Sequence, residues 1–178
     1  MYTHYFEITK RPDQIQWAQL MFDVEKLFKN LPTCEELEQL GVENDDKIIL
    51  RGPMGDKKPI CNTQRISFNG DAASGYDCDS FTLLAKTMDG FCKTGRKPYD
   101  FVVCAVLIIA YNHLPNNMHI TSGGDSDDWD PALNYVRQYI LPGARLPANV
   151  EVSPLQEHKT FFDGLKNIET SIGDFYFS

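Results

Sequence analysis

Between Phe101 and Tyr111 the chain reads FVVCAVLIIAY, eleven residues in which no face is set apart as polar. A surface helix shows an apolar stripe and a half-buried strand alternates, and this run does neither. It also falls far short of the roughly 18 to 20 residues needed to cross a bilayer. It must therefore lie inside a folded protein, covered on every side. The segment Tyr99–Leu114 that contains it is longer than an ordinary strand, so it is expected to form a central helix, ended by Pro115-Asn116-Asn117.

The rest of the chain has to supply the cover, and 178 residues suffice for one core without staples. Tyr2–Ile8 alternates as a first strand, and Arg11-Pro12-Asp13 then gives a stop and an N-cap. Trp17, Leu20, Met21, Val24, Leu27, Phe28 and Leu31 recur at helical spacing, predicting an amphipathic helix from Asp13 to about Asn30. Thr33 caps a short second helix with Glu35, Glu36 and Glu38 at its positive end and Gly41 closing it. Lys47–Arg51 reads as a strand and Gly52–Asp56 as a loop. Ile60–Asn69 contains a strand centred on Arg65-Ile66-Ser67-Phe68, which with Ser80–Lys86 reads as a hairpin with a long polar loop. Phe91–Pro98 is expected to be a connection and Met118–Ser122 a short strand. Gly123-Gly124 then turns into a helix from Asp125 to about Leu141, with Trp129, Ala132, Leu133, Val136, Tyr139 and Ile140 on one apolar stripe and Pro131 in its first turn. Beyond Pro142 a brief strand at Val150-Glu151-Val152 and a helix over Leu155–Ile172 are expected. The aromatic tail Phe175-Tyr176-Phe177 should pack on the core or on a partner.

The fold class that follows is α/β in the α+β sense: a mixed, mainly antiparallel sheet of five or six strands packed on a buried central helix. A single domain over residues 1–178 is expected, with the segment 143–178 packed onto it.

Charge and cysteine usage narrow the function classes. A formal net charge of -8 speaks against general affinity for nucleic-acid phosphates, and leaves an acidic face that docks on a basic protein. The five cysteines, at 34, 61, 78, 92 and 104, include no C-x-x-C pair and no cluster at zinc spacing. Neither a disulfide framework, nor a metal, nor a cofactor is expected from them. The opening residues have no basic and apolar regions of a secretory signal, so a cytoplasmic protein is expected.

Three segments, RISFNGD from Arg65, FCKTGRKPYDFVVCAVLIIA from Phe91 and HITSGGDSDDWDPAL from His119, resemble parts of small uncharacterised α/β proteins encoded by bacteriophages and prophages. The resemblance covers about the middle two fifths of the chain. It implies an accessory product made in the cytoplasm of an infected bacterium, and it brings no functional residues with it.

Four constellations could carry chemistry. Asp125-Ser126-Asp127-Asp128-Trp129-Asp130 is dense in carboxylates, yet it lacks the alternation and distal glutamate of a calcium loop and reads as a capped helix N-terminus. The basic run Lys93–Lys97, with Lys93, Arg96 and Lys97, is an anion-binding candidate ahead of a helix, without the glycine spacing of a P-loop. His119-Ile120-Thr121 and His158-Lys159-Thr160 are two His-x-Thr triplets of the kind two-histidine phosphoesterases use as general base and acid. Cys78, between Asp77 and Asp79 and with Asp71 nearby, has its thiolate disfavoured and reads as a polar loop residue.

The functional expectation is a binding protein whose acidic surface meets a protein partner. The alternative is a phosphoesterase or nucleotide-binding enzyme using His119, Thr121, His158, Thr160 and the basic loop. That alternative requires His119 to share one cleft with His158 or Arg96.

Overall fold

A computed structural model describes residues 2–43 and 46–150. The order is β1 (Thr3–Ile8), α1 (Gln14–Lys29), α2 (Cys34–Gln39), β2 (Leu50–Arg51), β3 (Ile60–Cys61), β4 (Arg65–Gly70), β5 (Phe81–Leu84), β6 (Met88–Lys93), α3 (Asp100–His113), β7 (Met118–Ser122) and α4 (Ser126–Tyr139). Helices and antiparallel sheets together make an α+β protein, as the periodicities required.

The apolar run is α3, and every residue from Phe101 to Ala110 is buried. It packs against α1, α4 and β7. Trp17, Leu20, Val24 and Leu27 of α1 and Trp129, Ala132, Leu133 and Val136 of α4 join it in one continuous core. Those are the stripes that helical spacing picked out.

The helix ends follow local chemistry. Asp13 caps α1, accepting from the Gln16 N–H at 2.7 Å while the Gln16 side chain accepts from the Asp13 N–H. Thr33 and Glu36 repeat the arrangement on α2. Gly41, at φ 83°, closes α2 in a Schellman motif, with Val42 N–H on the Leu37 carbonyl and Gly41 N–H on that of Glu38.

Several expectations need correction. The single sheet of five or six strands is two sheets, one of order β6-β1-β7 and one of β2-β4-β3 with β5 also on β4, antiparallel at every pairing. The stretch Phe91–Pro98 is not wholly a connection, because its start belongs to β6. That strand escapes pattern reading because Gly90 interrupts it, and the Phe6 ring occupies the space a side chain would need. The strand centred on Arg65–Phe68 is β4 and pairs with β5 as the hairpin reading has it, but a further short strand, β3, precedes it across a turn in which Asn62 Oδ1 accepts from the Gln64 and Arg65 N–H groups. Pro131 sits in the second turn of α4, not the first, since the helix opens at Ser126. The carbonyl it deprives of a donor is that of Asp127, an exposed residue that water can reach.

Ala144 and Val150 are buried, so the chain past α4 does return to the core as far as residue 150. Val150 itself lies in a bend. The strand expected at Val150–Val152 extends outside the described residues, as do the Leu155–Ile172 helix, His158, Thr160 and the aromatic tail. Among the described residues, no helix is long and apolar enough to cross a membrane.

Candidate functional site

One end of the three-stranded sheet gathers the start of β1, the ends of β6 and β7, and the N-termini of α3 and α4. In register, His4 stands opposite Cys92 on one side and Ser122 on the other. Alternation turns His4 inward with Phe6 and Ile8, and the imidazole is wholly buried. Asp100 is the first residue of α3, and Cys104, one turn later, lies on the same face of that helix.

These placements make a connected polar cluster under the sheet. The Ser122 hydroxyl accepts from Trp129 Nε1 at 3.2 Å and from the Gly124 N–H at 3.0 Å. Its two lone pairs thus occupied, it donates to His4 Nδ1, 2.9 Å away. That assigns the imidazole proton to Nε2, which donates to Asp100 Oδ1 at 2.7 Å. Thr94 Oγ1 donates to the same oxygen at 2.7 Å, and Tyr2 donates to Oδ2 at 3.2 Å. Cys104 Sγ lies 3.9 Å from Oδ2 and 3.8 Å from His4 Nε2. Burial, reinforced by the Asp100 charge, pushes the Cys104 thiol well above its usual range. Burial likewise holds the Tyr2 phenol protonated, with the Asp100 and Asp128 charges acting in the same sense.

Ser122, His4 and Asp100 follow the order of a hydrolytic triad, but Ser122 is no nucleophile here. Its oxygen is saturated by Trp129 and Gly124, and it is not among the residues lining the neighbouring cavity.

That cavity, about 510 Å³, opens on the far side of Asp100 and is lined by Tyr2, Tyr76, Arg96, Lys97, Asp127 and Asp128 among others. Gly95 and Arg96, both at φ 58°, form the centre of a tight turn closed by the Lys97 N–H on the Thr94 carbonyl at 3.1 Å. A non-glycine residue in that left-handed region is strained, and two contacts hold Arg96 there. Its guanidinium pairs with Asp128 Oδ1 at 2.5 Å and stands 4.0 Å over the Tyr2 ring. The Asp128 bond also raises the Arg96 pKa.

Two of the three anion-binding candidates, Arg96 and Lys97, line that cavity, and both already have protein partners. Arg96 is engaged with Asp128, Lys97 Nζ donates to the Gly75 carbonyl at 2.9 Å, and Lys93 belongs to β6, opposite Thr3. The aspartate run is a helix start: Asp125 caps α4 and Asp128 accepts from the Asp125 N–H while binding Arg96. Asp71 caps the turn Ala72–Ser74, where the Ser74 hydroxyl and then Arg51 hold its carboxyl below the usual range. Cys78 lies in the adjoining loop, its N–H bonded to Asn69 Oδ1.

His119 and Thr121 are exposed on the outer face of the three-stranded sheet, opposite Glu7 and Tyr5. His119 lies toward the Ile8 end of β1 and Arg96 beyond its Thr3 end, so the two share no cleft. His158 and Thr160 fall outside the described residues. Sequence reasoning missed His4, Asp100, Cys104 and Ser122. The inward alternation of His4 and the four-residue spacing of Asp100 and Cys104 were readable, whereas the ladder that joins them was not.

No family model, curated protein or solved structure matches the chain.

Proposed function

We propose that this chain is a phage-type accessory protein that acts in the bacterial cytoplasm by binding, and that the outer face of its three-stranded sheet receives a basic segment of a protein partner. One observation carries the reading. Two rows of exposed side chains cross the strands of that face, Asp89–Glu7–His119 and Phe91–Tyr5–Thr121. Like charges placed directly opposite one another, as Asp89 and Glu7 are, destabilise a sheet. Beside them Tyr5 and Phe91 remain 55 % and 63 % exposed, with ring centroids 6.4 Å apart. A partner lysine or arginine set between the two carboxylates relieves their repulsion, and its stem or guanidinium lies over the rings. The net charge of -8 attracts such a partner from a distance.

The test is capture from host lysate with wild-type protein and with the Glu7→Lys/Asp89→Lys and Tyr5→Ala/Phe91→Ala double variants. A basic protein retained by wild type at low salt, with affinity reduced at least tenfold (about 1.4 kcal/mol) in both variants, supports the reading. Equal retention by all three proteins, or retention of nothing, removes it.

A further inference from the structure

Away from that face, the cluster beneath the sheet has a composition that hydrogen bonding alone does not require. We propose that His4 Nε2, an Asp100 carboxylate oxygen and Cys104 Sγ form a three-ligand site for one zinc ion, leaving the fourth position to water from the adjoining cavity.

The ligand atoms lie within 4.8 Å of one another. With bonds of roughly 2.0 Å to nitrogen and oxygen and 2.3 Å to sulfur, neighbouring ligand atoms of a tetrahedral zinc site stand roughly 3.3 to 3.6 Å apart. Cys104 Sγ, at 3.8 Å from His4 Nε2 and 3.9 Å from Asp100 Oδ2, is already near that spacing. With Oδ1 as the ligand oxygen, its 2.7 Å bond to His4 Nε2 has to open by roughly half an ångström. One nitrogen, one oxygen and one sulfur donor around an open position suit zinc better than magnesium or calcium, which take oxygen alone.

The surroundings are those a metal site needs. His4 has Ser122 at its other ring nitrogen, and Asp100 is held by Thr94 and Tyr2, so both ligands are oriented by a second layer. Asp100 and Tyr2 line the cavity, which gives an ion a way in. A zinc ion with one carboxylate and one thiolate is neutral overall, which suits a place where His4 and Cys104 are fully covered. On binding, the Cys104 thiol proton leaves to solvent. The His4 proton moves from Nε2 to Nδ1, and the Ser122 hydroxyl turns to accept it in exchange for one of its present donors.

Cobalt(II) and zinc, added to the metal-free 178-residue chain kept reduced, test this. One cobalt per chain should give the visible bands of a tetrahedral ion and a near-ultraviolet thiolate charge-transfer band, both displaced by zinc. Cys104→Ser should lose the thiolate band, while Cys92→Ser, at a buried cysteine outside the cluster, should keep it. X-ray absorption of the wild-type zinc protein, which depends on no variant's folding, should find one sulfur at about 2.3 Å and the remaining ligands nitrogen or oxygen at about 2.0 Å. No stoichiometric binding, a thiolate band that survives in Cys104→Ser, or a zinc shell with no sulfur or more than one would overturn the proposal. The partner-capture variants lie on the opposite face of the sheet, so the two proposals fail independently.

Discussion

Gly90 stands opposite Phe6 in the ladder between β6 and β1, where a Cβ would fall 2.6 Å from the Phe6 ring and 2.9 Å from the Met88 methyl. Met88 can swing aside. Phe6 cannot, because its ring packs on Phe81 with centroids 5.1 Å apart, and Phe81 in turn on Phe68 at 5.0 Å. Gly90→Val should therefore cost about 1 to 3 kcal/mol, the scale of overpacking a filled core, read as a lower urea midpoint at unchanged slope. Gly143→Ala, with nothing within 4 Å of the added carbon, should lie within about 0.5 kcal/mol of wild type. If the valine variant is as stable as the alanine variant, the Phe6 ring is not the fixed object described.

The helices divide by how they meet solvent. α3 has no exposed side within Phe101–Ala110, whereas α1 buries one stripe and leaves Ile15 and Phe22 each 71 % exposed. A carboxylate in place of Val106 would be enclosed without a partner, a loss of several kcal/mol against a total stability of about 5 to 15 kcal/mol. Val106→Asp should abolish soluble, cooperatively melting protein. Phe22→Asp, the same charge on the open face of α1, should change stability by no more than about 0.5 kcal/mol. A cooperative melt for Val106→Asp would show that α3 is not enclosed. The contrast was legible beforehand, since a stripe and a run without a stripe are visible in sequence.

At the scale of the whole molecule, the core forms without cross-links: none of Cys34, Cys61, Cys78, Cys92 and Cys104 is in a disulfide. Burial pushes the Cys61 and Cys92 thiols up to about 12, which makes both poor candidates for thiolate exchange near neutral pH. Melting temperatures with and without a phosphine reductant should agree. A fall of more than about 4 °C on reduction, the scale of 1 kcal/mol in a chain this size, would reveal a disulfide. The sequence by itself determined the local matters: the buried run of α3, the stripes of α1 and α4, the caps Asp13 and Thr33, the capped start of α4, and the alternation of β1. Each depends on residues within a turn or two of one another, where spacing and side-chain chemistry act directly. Tertiary structure alone decided that the strands form two sheets, that Gly90 belongs to a strand, and that His4, Asp100, Cys104 and Ser122 meet. Those results rest on the ladder of β1 with β6 and β7 and on the seating of α3 beneath it. His4 stands 96 residues before Asp100 in the chain, and a pairing over that distance is fixed by shape and burial across the whole core, which no local pattern encodes.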